Sequence, residues 1–355
     1  MNLDDTAAFD RLDVGNMLAE IDSLPGQLGK AWELGRLHAL PEWSDLQQIV
    51  ICGMGGSAIG ADLLAAYALD RCRVPIAVHR DYDLPGWAVD RRTLVITTSH
   101  SGNTEETLSS LAAALARGCR SLSITTGGKL AAAAGSVEAP VWLFEHKGQP
   151  RAAVGYSFGL LLAALVRLGL LPDASRELEA TIQTMRAQQE TLGANSPVVK
   201  NPAKRIAGQL VGRVATVIGS GPLAPVARRW KGQINELAKA WAQFDVLPEV
   251  DHNTLAGVLN PEAALDQVMV IFLRSRGDHP RNRLRNELTR QRMMIEGLNT
   301  DFIEARGDTP MAQQWTCLHY GDYVAYYLGM AYGVDPTPVE AIEGFKRALR
   351  EAGQG

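Results

Sequence analysis

The stretch TTSHSGNTEET, residues 97–107, sets ten hydroxyl, imidazole, amide or carboxylate side chains around one glycine, directly after the apolar run LVI. A second stretch, CGMGGSAIG at 52–60, follows another apolar run and supplies closely spaced glycines and a serine. Gly53, Gly55 and Gly56 let the backbone approach a ligand, while Ser57, Ser99, Ser101, Asn103 and Thr104 add short polar groups where helices are expected to begin. A cup of hydroxyls and N–H groups, with no lysine or arginine in either stretch, suits a phosphate monoester held by many neutral hydrogen bonds. Taken singly, the later loop has a plainer reading: Ser99 and Thr104 as N-caps, Glu105 and Glu106 as complements to a helix dipole. Two such loops together favour the phosphate site. A dinucleotide fold competes, because Gly53, Gly55 and Ala58 fit G-x-G-x-x-A and Asp81 follows PIAVHR. It gives no role to a serine-rich second loop, and Asp81 comes later than the usual offset of about 20 residues.

Both loops need strands to hold them. From QQIVICGMGG onward, IVICG, PIAVHR, TLVITT, SLSITT and PVWLFE alternate with alanine-rich helical stretches such as ADLLAAYALD and TEETLSSLAAALARG. That rhythm predicts a parallel sheet covered on both faces, a doubly wound α/β domain whose ligands sit beyond the carboxyl ends of the strands. The first ~45 residues show apolar positions at helical spacing and read as amphipathic helices packed on a domain or a neighbour. RAAVGYSFGLLLAALVRLGLL reads as a buried helix stopped by Pro172. Beyond the turn-rich ANSPVVKNPAK, a second strand rhythm follows in VATVIGSG, VMVIFLRSRGD and NTDFIEARGD, with APVARRWKGQINELAKAWAQF read as one helix. IVICGMGGSAIG echoes ATVIGSGPLAPV, and LVITTSHSGN echoes VIFLRSRGDH, so the halves read as a degenerate repeat. Only the first copy keeps the hydroxyls, which predicts one major anion site per chain.

The 355 residues suffice for two domains: 46% are hydrophobic and 21% charged, as in an ordinary globular chain. A formal net charge of −4 gives no general attraction to nucleic acid or an anionic membrane, so neither is expected as a partner. Cys52, Cys72, Cys119 and Cys317 are scattered without metal spacing, and no signal or membrane span is legible, which points to a cytoplasmic protein. His79, His100, His146 and His279 likewise form no metal pattern with carboxylates, so no metal is expected.

GMGGSAIG with TSHSGNTEET resembles the sugar isomerase (SIS) domain. PRAAVGYSFG at 150–159, RRWKGQINELAK at 228–239 and EVDHNTLAG at 249–257 extend the resemblance over both halves to the bifunctional phosphoglucose/phosphomannose isomerase family. The resemblance implies two flavodoxin-like SIS domains, divided here into an N-terminal helical segment at 1–45, a first domain at 46–195 and a second at 196–355. It implies a hexose 6-phosphate whose phosphate meets Gly55, Gly56, Ser57, Ser99, Ser101 and Thr104, and glucose 6-phosphate and fructose 6-phosphate interconverted through a cis-enediolate, with mannose 6-phosphate as a further aldose. Glu236 would move the proton between C1 and C2. His252 would assist ring opening, reaching the site from the partner chain of a homodimer, with Arg151 near the reacting carbons and Lys346 completing the site. No cofactor is implied. His100 stands where the family usually has tyrosine, and Thr254 where it usually has glutamate.

Read from the residues alone, Glu236 is a solvated helix residue paired with Lys239, His252 a turn residue and Lys346 an exposed lysine on a terminal amphipathic helix, and the case for these three rests on the resemblance; Arg151 is equally a surface arginine at a helix start. Trp230, Ile234, Leu237 and Trp241 form an apolar stripe beside Glu236 that would desolvate it and fit it for work as a base. A second function class also stands: a sugar-phosphate-binding or regulatory SIS protein without catalysis, which needs the cup but no placed base.

Overall fold

The computed structural model describes residues 2–353. Helices α1 (Thr6–Leu12) and α2 (Met17–Leu37) precede β1 (Gln48–Cys52), α3 (Gly55–Ala68), β2 (Ile76–His79), β3 (Thr93–Ser99), α4 (Glu105–Ala116), β4 (Arg120–Thr125), α5 (Gly128–Gly135) and β5 (Val141–Leu143). Then come α6 (Val154–Arg167), α7 (Ser175–Leu192), α8 (Pro202–Leu210), β6 (Val214–Ser220), α9 (Ala224–Leu237) and β7 (Ala242–Leu247). The chain closes with α10 (Glu262–Leu265), β8 (Val268–Arg274), α11 (Pro280–Ile295), β9 (Asn299–Glu304), α12 (Pro310–Tyr332) and α13 (Glu340–Ala352).

The strands form two sheets, ordered β2-β1-β3-β4-β5 and β7-β6-β8-β9, and every pairing is parallel. The first is the flavodoxin-like order, and the second follows the same path one strand shorter. In each, successive connections leave the first strand in opposite directions, opening a crevice between β1 and β3 and another between β6 and β8. The doubly wound expectation and the internal repeat therefore both hold.

The helices tie the sheets together through one continuous apolar core. Buried Met17, Ile21, Leu24, Leu28 and Ala31 line one face of α2, which packs on α6 and α7. The carboxylate of Asp13 starts that helix by accepting from Met17 N at 2.7 Å and Leu18 N at 2.9 Å. Helix α12 is buried from Met311 to Met330 and packs on α7, α8 and α9. A helix buried on every side carries few charges, and its one carboxylate, Asp322, is fully paired with Arg229 of α9. Among the described residues no helix is long and apolar enough to cross a membrane.

Two element readings are corrected. APVARRWKGQINELAKAWAQF is not one helix: α9 ends at Leu237, Lys239 takes a left-handed backbone conformation (φ 55°), and Ala242–Leu247 is β7, paired with β6. Tertiary pairing overrides the helical period there. The buried helix before Pro172 also stops earlier, at Arg167, and Pro150–Ala152 forms a separate 3-10 turn ahead of it.

Candidate active site

The two polar loops meet at the first crevice because β1 and β3 are adjacent in register, Cys52 opposite Thr97. Gly55 has positive φ (50°) at the start of α3, and Gly56 lies against the Pro150–Arg151 turn: a Cβ there would stand 2.4 Å from the carbonyl oxygen of Pro150. Glycine at 56 is thus what lets the 150–152 turn close over the N-terminus of α3. On the β3 loop, Ser99 Oγ accepts from Gly102 N at 3.1 Å and shares a hydrogen bond with Thr104 Oγ1 at 2.9 Å. Ser101 Oγ is exposed and accepts from Asn103 N at 3.2 Å. Gly102 (φ 65°) presses on Gly127, which packs the loop against the one leaving β4.

Thr104 occupies the N-cap position of α4, yet its side chain makes no capping bond. Its hydroxyl is spent on Ser99 instead, so the N-cap reading fails and the first N–H groups of α4 keep no side-chain partner. Thr107, in that first turn, is buried with an unpartnered hydroxyl that sequence reasoning did not single out.

Beside Gly55 and Gly56 opens a cleft of about 170 Å³ that also reaches Arg151, Arg229, Gln233 and Glu236. Arg151 is buried, not a surface arginine. It donates to the carbonyls of Pro336 (2.8 Å) and Thr337 and lies 3.4 Å from Glu236 Oε2. Its Nε is buried without a partner, a donor left available to a ligand. Burial pulls the guanidinium below its usual range and Glu236 opposes this, so the group stays cationic.

Glu236 is in the last turn of α9, with its side chain 30% exposed. The apolar stripe on that helix is real at Trp230, Ile234 and Leu237, all fully buried, but Trp241 lies beyond the helix end and is 68% exposed. Desolvation of Glu236 is therefore partial. Nor does Lys239 pair with its carboxylate: the ammonium donates to the backbone carbonyls of Glu236 and Pro336.

The cup lacks arginine in its own loops, but the fold brings cations to the cleft from elsewhere: Arg80 after β2, and Arg228, Arg229 and Lys231 on α9. Arg80 and Arg228 converge on Asp62 of α3, the latter at 3.0 Å. Helical spacing puts Arg229 seven residues before Glu236, two turns along one face, a signal available in the sequence. The link from Arg228 to Asp62 spans 166 residues and has no such signal.

Six of the expected residues do not line the cleft: Ser57, Ser99, Ser101 and Thr104 of the two loops, and His252 and Lys346. His252 is exposed at the end of a 3-10 turn after β7, and Lys346 is exposed on α13, with no hydrogen bond or ion pair among the described residues. The segment leading into α13 does reach the site, through the Pro336 and Thr337 carbonyls.

His100, between the cup serines, heads a hydrogen-bonded chain: its Nε2 meets His146 Nδ1 at 2.9 Å, and His146 Nε2 meets Glu20 Oε2 at 2.9 Å. Burial, then the neighbouring His146, lowers the imidazole to about 4. Above pH ~6.5 the ring is neutral folded or unfolded. As pH falls from there towards 4 the unfolded chain takes up a proton that the folded chain refuses, so stability is lost across that window and levels off below it. The loss is on the order of 1–2 kcal/mol once solvent screening of the partly exposed ring is allowed for. Urea midpoints for wild type and His100→Gln, taken from pH 7 to 4, are expected to converge as the pH falls; parallel curves would contradict the assignment.

A family model described as the bacterial phospho-glucose isomerase C-terminal SIS domain matches residues 199–349. A bifunctional phosphoglucose/phosphomannose isomerase of Caldicellulosiruptor bescii is 39% identical over 339 residues, covering 94% of this chain and 99% of that protein. One of Aquifex aeolicus, with the same name, is 35% identical over 318 residues, covering 87% and 95%. Among solved structures, a hypothetical protein from Thermus thermophilus superposes with a TM-score of 0.75 at 19% identity, covering 99% of this chain and 94% of that one, a likeness of fold.

Proposed function

Because the chain belongs to the bifunctional phosphoglucose/phosphomannose isomerase family, we propose that it interconverts glucose 6-phosphate and fructose 6-phosphate, and mannose 6-phosphate with fructose 6-phosphate, through a cis-enediolate. The observation that carries this reading is the juxtaposition of Glu236 with the buried, partly unpartnered Arg151 over the N-terminus of α3. An isomerase needs a base that takes a proton from one carbon and returns it to the next, and a cation where the enediolate oxygen gains charge. Glu236 takes the C2 proton of the aldose and returns it at C1, and Arg151 stabilises the charge between. Ser57, Ser99, Ser101, Thr104 and the N–H groups of Gly55 and Gly56 hold the phosphate.

His252 is read as supplied by the second subunit of a homodimer, where it assists ring opening. Its exposure away from its own chain's cleft supports that reading, as does the exposed apolar row Ile342, Phe345 and Leu349 on α13. Lys346 completes the site if α13 moves towards the cleft its leading segment already touches. Mixing Glu236→Gln with His252→Ala chains would restore activity in hybrid dimers, since one site then holds both native groups; no restoration would place His252 and Glu236 in one chain's site or outside catalysis. A metabolic hexose phosphate as substrate goes with a cytoplasmic location.

The test is proton NMR of fructose 6-phosphate in deuterium oxide, following new glucose and mannose 6-phosphate signals and deuterium at C2. Saturable binding with neither product nor exchange would move the protein to the non-catalytic class. Ser101→Ala is expected to weaken hexose-phosphate binding by about tenfold, the worth of one hydrogen bond to a charged group, with little change in kcat. Unaltered binding in calorimetry would remove Ser101 from the cup.

A further inference from the structure

The second sheet has a crevice of its own, between β6 and β8, and the loops leaving those strands meet there, with Ser220 Oγ donating to Asp278 Oδ2 at 2.8 Å. The β8 loop also holds a glycine N–H on a serine hydroxyl: Gly277 N donates to Ser275 Oγ at 2.9 Å, two residues away, where Gly102 N reaches Ser99 Oγ across three. What differs is the chemistry around it. Beside it, over the carboxyl ends of β8 and β9, a cavity of about 220 Å³ is lined by Arg274, Arg276, Arg283 and Glu304 together with Ser275, Asp278 and Asn286.

The cations are incompletely neutralised. Arg274 is shared between Glu304 at 3.2 Å and Glu287 at 3.8 Å, and the exposed Arg276 only approaches Asp308, at 3.9 Å. Arg283 makes no ion pair among the described residues. Beneath them, two buried oxygens have no donor: Asp278 Oδ1, in a residue 5% exposed, and Asn286 Oδ1, in one 2% exposed. Buried acceptors are rarely left so, and beside an open cavity they call for a ligand that donates. Burial raises the Asp278 carboxyl to about 6, which still leaves it mainly an acceptor at neutral pH. At about 220 Å³ the cavity matches the first cleft, about 170 Å³, in scale, so a ligand no larger than a hexose phosphate fits.

We propose that this cavity is a second ligand site, for a small phosphate monoester that carries hydroxyl groups. The arginines receive the phosphate and Asp278 and Asn286 accept from the hydroxyls, so the second half of the repeat has exchanged a neutral cup for a cationic one. The proposal is independent of the catalytic roles assigned to the first crevice.

The test is calorimetric titration of the full chain with glycerol 3-phosphate and with propyl phosphate, which has the same charge and no free hydroxyl. The proteins are wild type, Ser101→Ala and the double variant Arg276→Gln/Arg283→Gln, whose exposed positions leave the core untouched. Binding of glycerol 3-phosphate that persists in Ser101→Ala, falls at least about tenfold in the arginine variant and is similarly weaker for propyl phosphate is the expected result. Three results would overturn it: no binding at millimolar ligand, an arginine variant that titrates like wild type, or equal binding of the two phosphates. Fructose 6-phosphate turnover, measured on the same proteins, reports separately on the first crevice.

Discussion

Replacing Glu236 by glutamine lowers kcat for fructose 6-phosphate by about 10²–10⁴-fold, the range expected when a placed general base is removed. Glutamine keeps the shape of the side chain and still offers an oxygen towards Arg151, which also holds the carbonyls of Pro336 and Thr337 and so has reason to stay in place. What disappears is the lone acceptor that can carry a proton between adjacent carbons. Binding is set elsewhere, by the cup and the cleft arginines, so the dissociation constant of the hexose phosphate is expected to change little. A kcat loss below about tenfold would take the base role away from Glu236. Equal losses in kcat/KM and in affinity would instead make the residue a binding group.

That pair of roles was only partly legible in the chain. The cup was readable because its signal is local: apolar runs of strand length, each followed by glycines and hydroxyls, place both loops at strand ends whatever the remainder does. The cleft was less so. Arg151 looks like a surface arginine beside a proline, and only the packing of Gly56 on its turn, with the carbonyls of 336 and 337 arriving from the far end of the chain, makes it a buried cation. The end of α9 is not legible because ELAKAWAQF keeps a helical period past Leu237; what stops the helix is the left-handed Lys239 and the place beside β6 that Ala242–Leu247 fills. Trp241 was lost from the stripe for the same reason. The chain from His100 through His146 to Glu20 joins three elements 46 and 126 residues apart, and no periodicity records such a contact.

The placement of Glu236 rests on a pair deeper in the molecule. Arg229 and Asp322 are 4% and 1% exposed, joined by two hydrogen bonds of 3.1 and 2.9 Å between α9 and α12. A buried pair of this kind adds little net stability compared with apolar residues of similar size, but losing one partner strands the other charge. Asp322→Asn is therefore expected to destabilise the protein by about 3–5 kcal/mol, read as a lower urea midpoint. Arg229→Met/Asp322→Leu, which removes both charges, should recover most of that loss. Activity should not return with it, because Arg229 lines the cleft two turns from Glu236 and carries positive charge there. If the double variant is as unstable as the single one, the cost lies in packing between α9 and α12 and not in the stranded charge. If it recovers both stability and turnover, Arg229 serves only to dock α9, and the cleft's charge is supplied by Arg151 and its other cations.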